Sequence, residues 1–136
     1  MCTKIAKSYN SKLKYYLSET HTILGQARNS AILKASGQWV SFLDVDDLWH
    51  PKKLEIQMAE VENSQYLLTY AGVKLIDQNG LEFGKTLPLN KTGRMLGQLL
   101  KRFDINMVTP LINLKKMKQL KINFDPNFTS SEEYNL

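Results

Sequence analysis

The segment FLDVDDLWHPKKLE, Phe42 to Glu55, places three aspartates within four positions directly after an apolar run. Carboxylates this close repel one another, so each needs water, backbone N–H groups or a cation to hold its charge. The plainest solution is a turn, because an Asp side chain bonds nearby N–H groups, and a bare D-x-D is common by chance. The flanks narrow the choice. Gln38 to Leu43 (QWVSFL) reads as a short buried strand. Pro51 stands at the favoured first position of a helix whose apolar stripe would be Leu54, Met58 and Val61. The aspartates then sit at the C-terminal end of a strand, in the loop that enters a helix.

Outward from that segment the pattern continues. Thr3 to Asn10 reads as the end of a helix and Lys12 to Ser18 as a strand. Gly25 to Ser36 reads as a helix, with Ala27, Ala31 and Ala35 on one face for close approach to a sheet, stopped by Gly37. Tyr66 to Val73 reads as a strand, Gln78-Asn79-Gly80 as a hairpin turn, and Leu81 to Lys85 as the return strand. Arg94 to Arg102 reads as a helix, Val108 to Asn113 as a strand, Leu114 to Gln119 as a helical turn and Ile122 to Asp125 as extended chain. The closing SSEEYNL reads as a helix just begun behind an N-cap serine. Strands alternating with helices predict an α/β fold with a mixed, mostly parallel sheet flanked by helices.

With 136 residues the prior is one domain over 1–136. No apolar run approaches the ~20 residues of a membrane-spanning helix. The opening MCTKIAKSYN lacks the apolar core of a signal peptide. Cys2 is the single cysteine, which rules out an internal disulfide. These features predict a cytoplasmic protein. A net charge of +5 suits anionic partners without selecting one. A nucleic-acid module would rest on that charge alone, with no aromatic-basic motif beside it, so no nucleic acid is expected.

Three chemistries compete for the aspartates. Asp44, Asp46 and Glu55 would take positions 1, 3 and 12 of a calcium-binding loop, but Leu48 brings no oxygen to position 5 and Trp49 replaces the glycine needed at 6. A phosphatase of the haloacid dehalogenase type would use an Asp after a strand as nucleophile and a second, two residues on, as acid/base; FLDVDD fits that far, but Leu48 stands where Thr or Ser is required. The third is a divalent ion held by carboxylates at a strand end, bridging the phosphates of a nucleoside diphosphate.

Leu24 to Gln57, LGQARNSAILKASGQWVSFLDVDDLWHPKKLEIQ, resembles the central block of the family 2 glycosyltransferases: G-x-x-x-A-R-N, A-x-G, an apolar strand, D-x-D-D-x-W, then P-x-K-L-x-x-Q. Gly25 stands nearer to Ala27-Arg28-Asn29 than the usual glycine. Asn123 to Leu136, NFDPNFTSSEEYNL, resembles the family's F-D…E-D-Y-x-L segment. The resemblance implies a GT-A (Rossmann-like) fold and an inverting, metal-dependent, hexosyltransferase-like activity on a nucleotide sugar, with a UDP-sugar the expected donor and Mg²⁺ or Mn²⁺ the expected ion. The acceptor would be a glycan, lipid-linked or protein hydroxyl.

Carried over residue by residue, Asp46 would be the metal ligand, and Asp44 would reach the donor's ribose or the metal's water shell. Asp47 would hold the loop and cap the helix. Arg28 would contact the nucleotide. Glu133, where the family has Asp, would be the catalytic base, taking the acceptor's proton as its oxygen attacks the anomeric carbon. Trp49 reads as a packing anchor. The lysines of KKMKQLK, Lys115 to Lys121, read as a solvated face or one resting peripherally on the inner face of an anionic membrane. The family's first strands, which hold the base and ribose, and its acceptor-side structure after the last segment have no counterpart here. The expectation is a partial catalytic domain, truncated at both ends and impaired, or a non-catalytic remnant.

Overall fold

The computed structural model describes residues 13–88 and 92–127. Its elements are α1 (Leu24–Lys34), β1 (Trp39–Val40), α2 (Lys53–Val61), β2 (Leu68–Thr69), β3 (Val73–Ile76), β4 (Glu82–Thr86), α3 (Leu96–Leu99), β5 (Leu111–Asn113) and α4 (Leu114–Gln119). The helix end expected over Thr3 to Asn10 and the helix start at SSEEYNL, with Glu133, lie outside the described residues.

The central sheet has the order β1–β5–β2. β5 pairs antiparallel with both neighbours, Trp39 opposite Asn113 on one side and Leu68 opposite Ile112 on the other. The α/β character expected from the sequence is present; the mostly parallel sheet is not, because every described pairing is antiparallel. The cause is the order of insertion. β1 and β2 do point the same way, joined by a crossover through α2 as the strand–helix alternation implies. The later strand, β5, enters between them from the opposite direction, and no local pattern encodes that.

Several elements are shorter or differently faced than the sequence suggests. Residues 13–18 form no strand and are exposed. α1 buries Gly25, Arg28 and Ile32, whereas Ala27 and Ala31 face solvent. α2 buries Gln57 and Val61 and leaves Leu54 and Met58 exposed. The single strand read over Tyr66 to Val73 breaks at residues 70–72 into β2 and β3. Gly72 permits the break: a Cβ there would lie 2.8 Å from the Thr86 carbonyl oxygen. The hairpin β3–β4 forms where Asn79-Gly80 predicted it. Asp77 accepts from the N–H groups of Asn79 (2.8 Å) and Leu81 (2.9 Å), and Gly80 takes φ 79°.

The core gathers Ile32, Met107, Ile112, Leu114, Met117 and Phe124. Phe124, wholly buried, is fixed by Asn29: the Asn29 amide donates to the Phe124 carbonyl (2.8 Å) and accepts from its N–H (2.9 Å). One side chain thus replaces a strand partner for a segment 95 residues away. α4 starts with Asn113, whose side chain accepts from Lys116 N–H. It ends with Lys121 in the left-handed region, φ 55°, and with Ile122 N–H returning to the Met117 carbonyl at 3.0 Å. This is the hydrogen-bond pattern of a Schellman cap.

Two outcomes follow for stability. Asn29→Ala leaves both polar groups of the Phe124 backbone unpaired and should cost about 2–4 kcal/mol in urea unfolding. A loss under about 0.5 kcal/mol would show that the clasp is not structural. In the hairpin, hydrogen bonds led by that of Leu81 N–H hold the Asp77 carboxyl below its ordinary value of 3.8. A depressed folded pKa gives stability that is present above 3.8 and is lost as pH falls through the folded value. The melting-temperature gap between the wild type and Asp77→Ala should therefore be steady near neutrality and close in acid.

Candidate active site

The aspartate segment leaves β1 as a turn in which Asp47 N–H bonds the Asp44 carbonyl at 3.2 Å. The three carboxylates separate there into two groups. Asp44 turns inward to Arg28, whose Nη2 lies 3.1 and 3.2 Å from the two carboxylate oxygens. Arg28 is 6% exposed. Its guanidinium carbon sits 5.6 Å from the ring centroids of both Phe42 and Phe124, and those rings meet edge to face at 5.7 Å and 82°. A buried cation needs a counter-charge, and Asp44, half-exposed, supplies it. Arg28 and Asn29, adjacent on α1, together bind the aspartate loop and the Phe124 segment to one helix.

Asp46 and Asp47 turn outward onto a cleft of about 510 Å³, whose wall includes Trp49, Lys53, Gln57, Gly72 and Val108. Among the described residues Asp46 accepts no hydrogen bond. The Asp47 carboxyl is held above the usual carboxylate range, first by partial loss of solvent and then by the charges of Asp46 and Asp44. Trp49 anchors the loop as expected, donating from Nε1 to the Val108 carbonyl at 2.9 Å. Lys53 lies with its Nζ 4.2 Å from the Trp49 ring centroid and 3.1 Å from Ser41 Oγ. Burial lowers its pKa.

Sequence reasoning weighed neither Lys53 nor Gln57, although both stand in the P-x-K-L-x-x-Q stretch. Gln57 donates from Nε2 to the Thr109 carbonyl (3.0 Å), with a longer contact to that of Thr69 (3.4 Å). It thereby ties α2 to β2 and to the approach to β5, and its buried Oε1 has no partner among the described residues. The signal was a glutamine on the helix's inward face beside an exposed Leu-Met stripe.

No group of three or more His, Cys, Asp or Glu that could cage a metal occurs among the described residues. The donor set is two outward carboxylates, Asp46 and Asp47, beside a third, Asp44, already paired with Arg28. Mg²⁺ and Mn²⁺ are held at such sites by one or two carboxylates together with phosphate oxygens and water. The residues fit an ion that arrives with a diphosphate. The structure brings Arg28, Asp44 and Asp46 into one unit.

Asp47→Asn removes a repelled charge. A raised folded pKa means that ionising Asp47 weakens the fold as pH rises through that value. The variant should therefore melt higher than the wild type at neutral pH and match it in acid. Arg28→Lys keeps the charge but loses the planar contact with two rings and the forked geometry; it should destabilise by about 2–4 kcal/mol in urea unfolding.

The family model for glycosyl transferase family 2 matches residues 1–122. The amylovoran biosynthesis glycosyltransferase AmsB of Erwinia amylovora is 33% identical over 132 residues, 92% of this chain and 43% of that protein. The Escherichia coli UDP-Glc:alpha-D-GlcNAc-diphosphoundecaprenol beta-1,3-glucosyltransferase WfgD is 29% identical over 133 residues, 98% of this chain and 50% of that protein. The teichuronic acid glycosyltransferase TuaG of Bacillus subtilis, named as putative, is 28% identical over 107 residues, 79% of this chain and 41% of that protein. The chain thus spans about half the length, or less, of the curated relatives it matches. No solved structure matches it. With the family model covering most of its length and its A-R-N and D-x-D-D-x-W residues assembled in one unit, the chain belongs to glycosyl transferase family 2.

Proposed function

We propose that this chain carries the diphosphate-binding centre of an inverting, metal-dependent glycosyltransferase that moves a sugar from a nucleoside diphosphate, most simply UDP, to an acceptor hydroxyl in polysaccharide assembly. The observation that carries the reading is the division of labour in the DVDD turn. Arg28 neutralises Asp44 and fixes the turn, and Asp46 is left outward at the rim of a cleft, without a hydrogen-bond partner among the described residues. A divalent ion bound there would supply neutralisation of the diphosphate as it leaves.

The protein's own residues have distinct parts. Asp46 is the ligand for the ion. Asp44, locked by Arg28, keeps the turn in place and can face the donor's ribose or the ion's water shell from its exposed edge. Arg28 acts from beneath the turn as well as through its charge. Glu133 is assigned the base that takes the acceptor's proton, on its place in the S-S-E-E-Y segment. The relatives named for amylovoran and for a diphosphoundecaprenol-linked sugar support an acceptor in glycan or lipid-linked form. No described helix is long and apolar enough to cross a membrane.

Calorimetry of UDP binding with and without Mn²⁺ tests this centre directly. Binding should require Mn²⁺ and fall at least about tenfold in Asp46→Ala, the loss of a charge-assisted contact. UDP binding that is equal with and without the ion, or equal in wild type and variant, would remove Asp46 from the centre.

A further inference from the structure

The second charged feature of the molecule lies away from the aspartates. No acidic residue occurs from Leu114 to Phe124 or from Ser30 to Leu43, and the structure joins these two stretches. Lys118 Nζ donates to the Ala35 carbonyl at 3.0 Å, and Leu114 N–H to that of Gln38 at 3.0 Å. Lys34 ends α1 beside that junction, with its Nζ 4.6 Å from the Tyr16 ring centroid.

The lysines of α4 are not equivalent. Lys116 is half-buried and bonds the Gln65 carbonyl, and Lys118 donates to the Ala35 carbonyl at the end of α1. Lys116 is spent on that contact, whereas Lys118 is exposed and keeps its charge at the surface while it ties α4 to the end of α1. Lys115 and Lys121 are exposed, with Leu120 beside Lys121 at 64% exposure. Lys121 occupies the left-handed position of the Schellman cap, where glycine is favoured because it has no Cβ to strain. The fold holds a lysine at the one position where a smaller residue would be more comfortable.

We propose that this face, Lys34, Lys115, Lys118 and Lys121 around Leu120, docks on an anionic lipid surface. Four cations with no acid among them complement a negative headgroup layer. Each lysine near such a surface multiplies partition about fivefold, and the apolar Leu120 suits the interface between headgroups and acyl chains. The face is also near the chemistry. From Arg28, which grips Asp44, to Ala35 is two turns of α1, about 10 Å. An acceptor carried by that surface would lie close to the carboxylate turn. For this purpose the proposal rests on the transferase reading; its measurement does not.

Co-sedimentation of the chain with vesicles of phosphatidylcholine, and of phosphatidylcholine mixed with phosphatidylglycerol, tests it without donor or metal. Binding should occur only with phosphatidylglycerol and fall steeply with salt. Lys115→Gln with Lys121→Asn should weaken it at least about tenfold. Lys85→Gln with Lys101→Gln, which changes the net charge equally elsewhere, should leave it nearly unchanged. Lys121→Asn alone should not lower the melting temperature, since Asn tolerates the left-handed region, so lost binding cannot be put down to unfolding. Equal binding to both vesicles, equal weakening by both double variants, or an RNA oligonucleotide bound more tightly than the vesicles through the same lysines would overturn the proposal. Loss of metal-dependent UDP binding with vesicle binding intact would instead remove the transferase reading and leave this surface standing.

Discussion

A guanidinium packed against two touching phenyl rings organises this protein. Arg28 is buried among Phe42 and Phe124 and is paired with Asp44, so its charge is matched where water cannot match it. Each partner comes from a different part of the chain: α1, the end of the first central strand, the aspartate turn and the segment after α4. Removing any one would leave the others misplaced. The pair adds little net stability over an apolar substitute of the same shape; its value is that it fixes geometry. An aspartate turn tied only to solvent would sample many arrangements, and the outward carboxylate would have no defined position.

The same pairing explains how three negative charges coexist in four residues. One is neutralised from inside and one is pushed toward its protonated form by partial burial and then by its neighbours' charges. One is left for solvent or a cation. The turn is preloaded with unfavourable electrostatics that a positively charged ligand relieves. Asn29, next along the helix, does for backbone polarity what Arg28 does for charge, closing the Phe124 segment onto α1 with two hydrogen bonds. The A-R-N triplet is therefore as much a structural clasp as a ligand-binding signature.

The parts legible in the sequence were those encoded locally. Gly80 takes the positive φ that the turn needs and the hairpin forms around it; Leu114 to Gln119 is a helix behind an Asn cap; the aspartates follow a half-buried strand. What was not legible depended on partners far along the chain. Of the expected stripe Leu54, Met58 and Val61 only Val61 is buried; α2 turns Gln57 inward, where its amide meets carbonyls on two other segments. The alanines of α1 suggested the packed face, but the helix is rotated to bury Arg28. The sheet direction failed for a related reason: alternation records which strands are joined by helices, not which strand later slips between them.

That late strand has a consequence for how the molecule comes into being. β1 and β2 do not touch; each has β5 as its neighbour, and Trp39 meets its partner only when Asn113 has been made. During synthesis the two earlier strands must wait with raw edges, since loop closure over that span precedes any stabilising ladder. α1, the aspartate turn and α2 all precede β5 in the chain, so the central sheet cannot close until β5 has been made. Slow emergence or early release of the chain would thus expose two open strand edges side by side, the geometry most apt to recruit another unfinished copy.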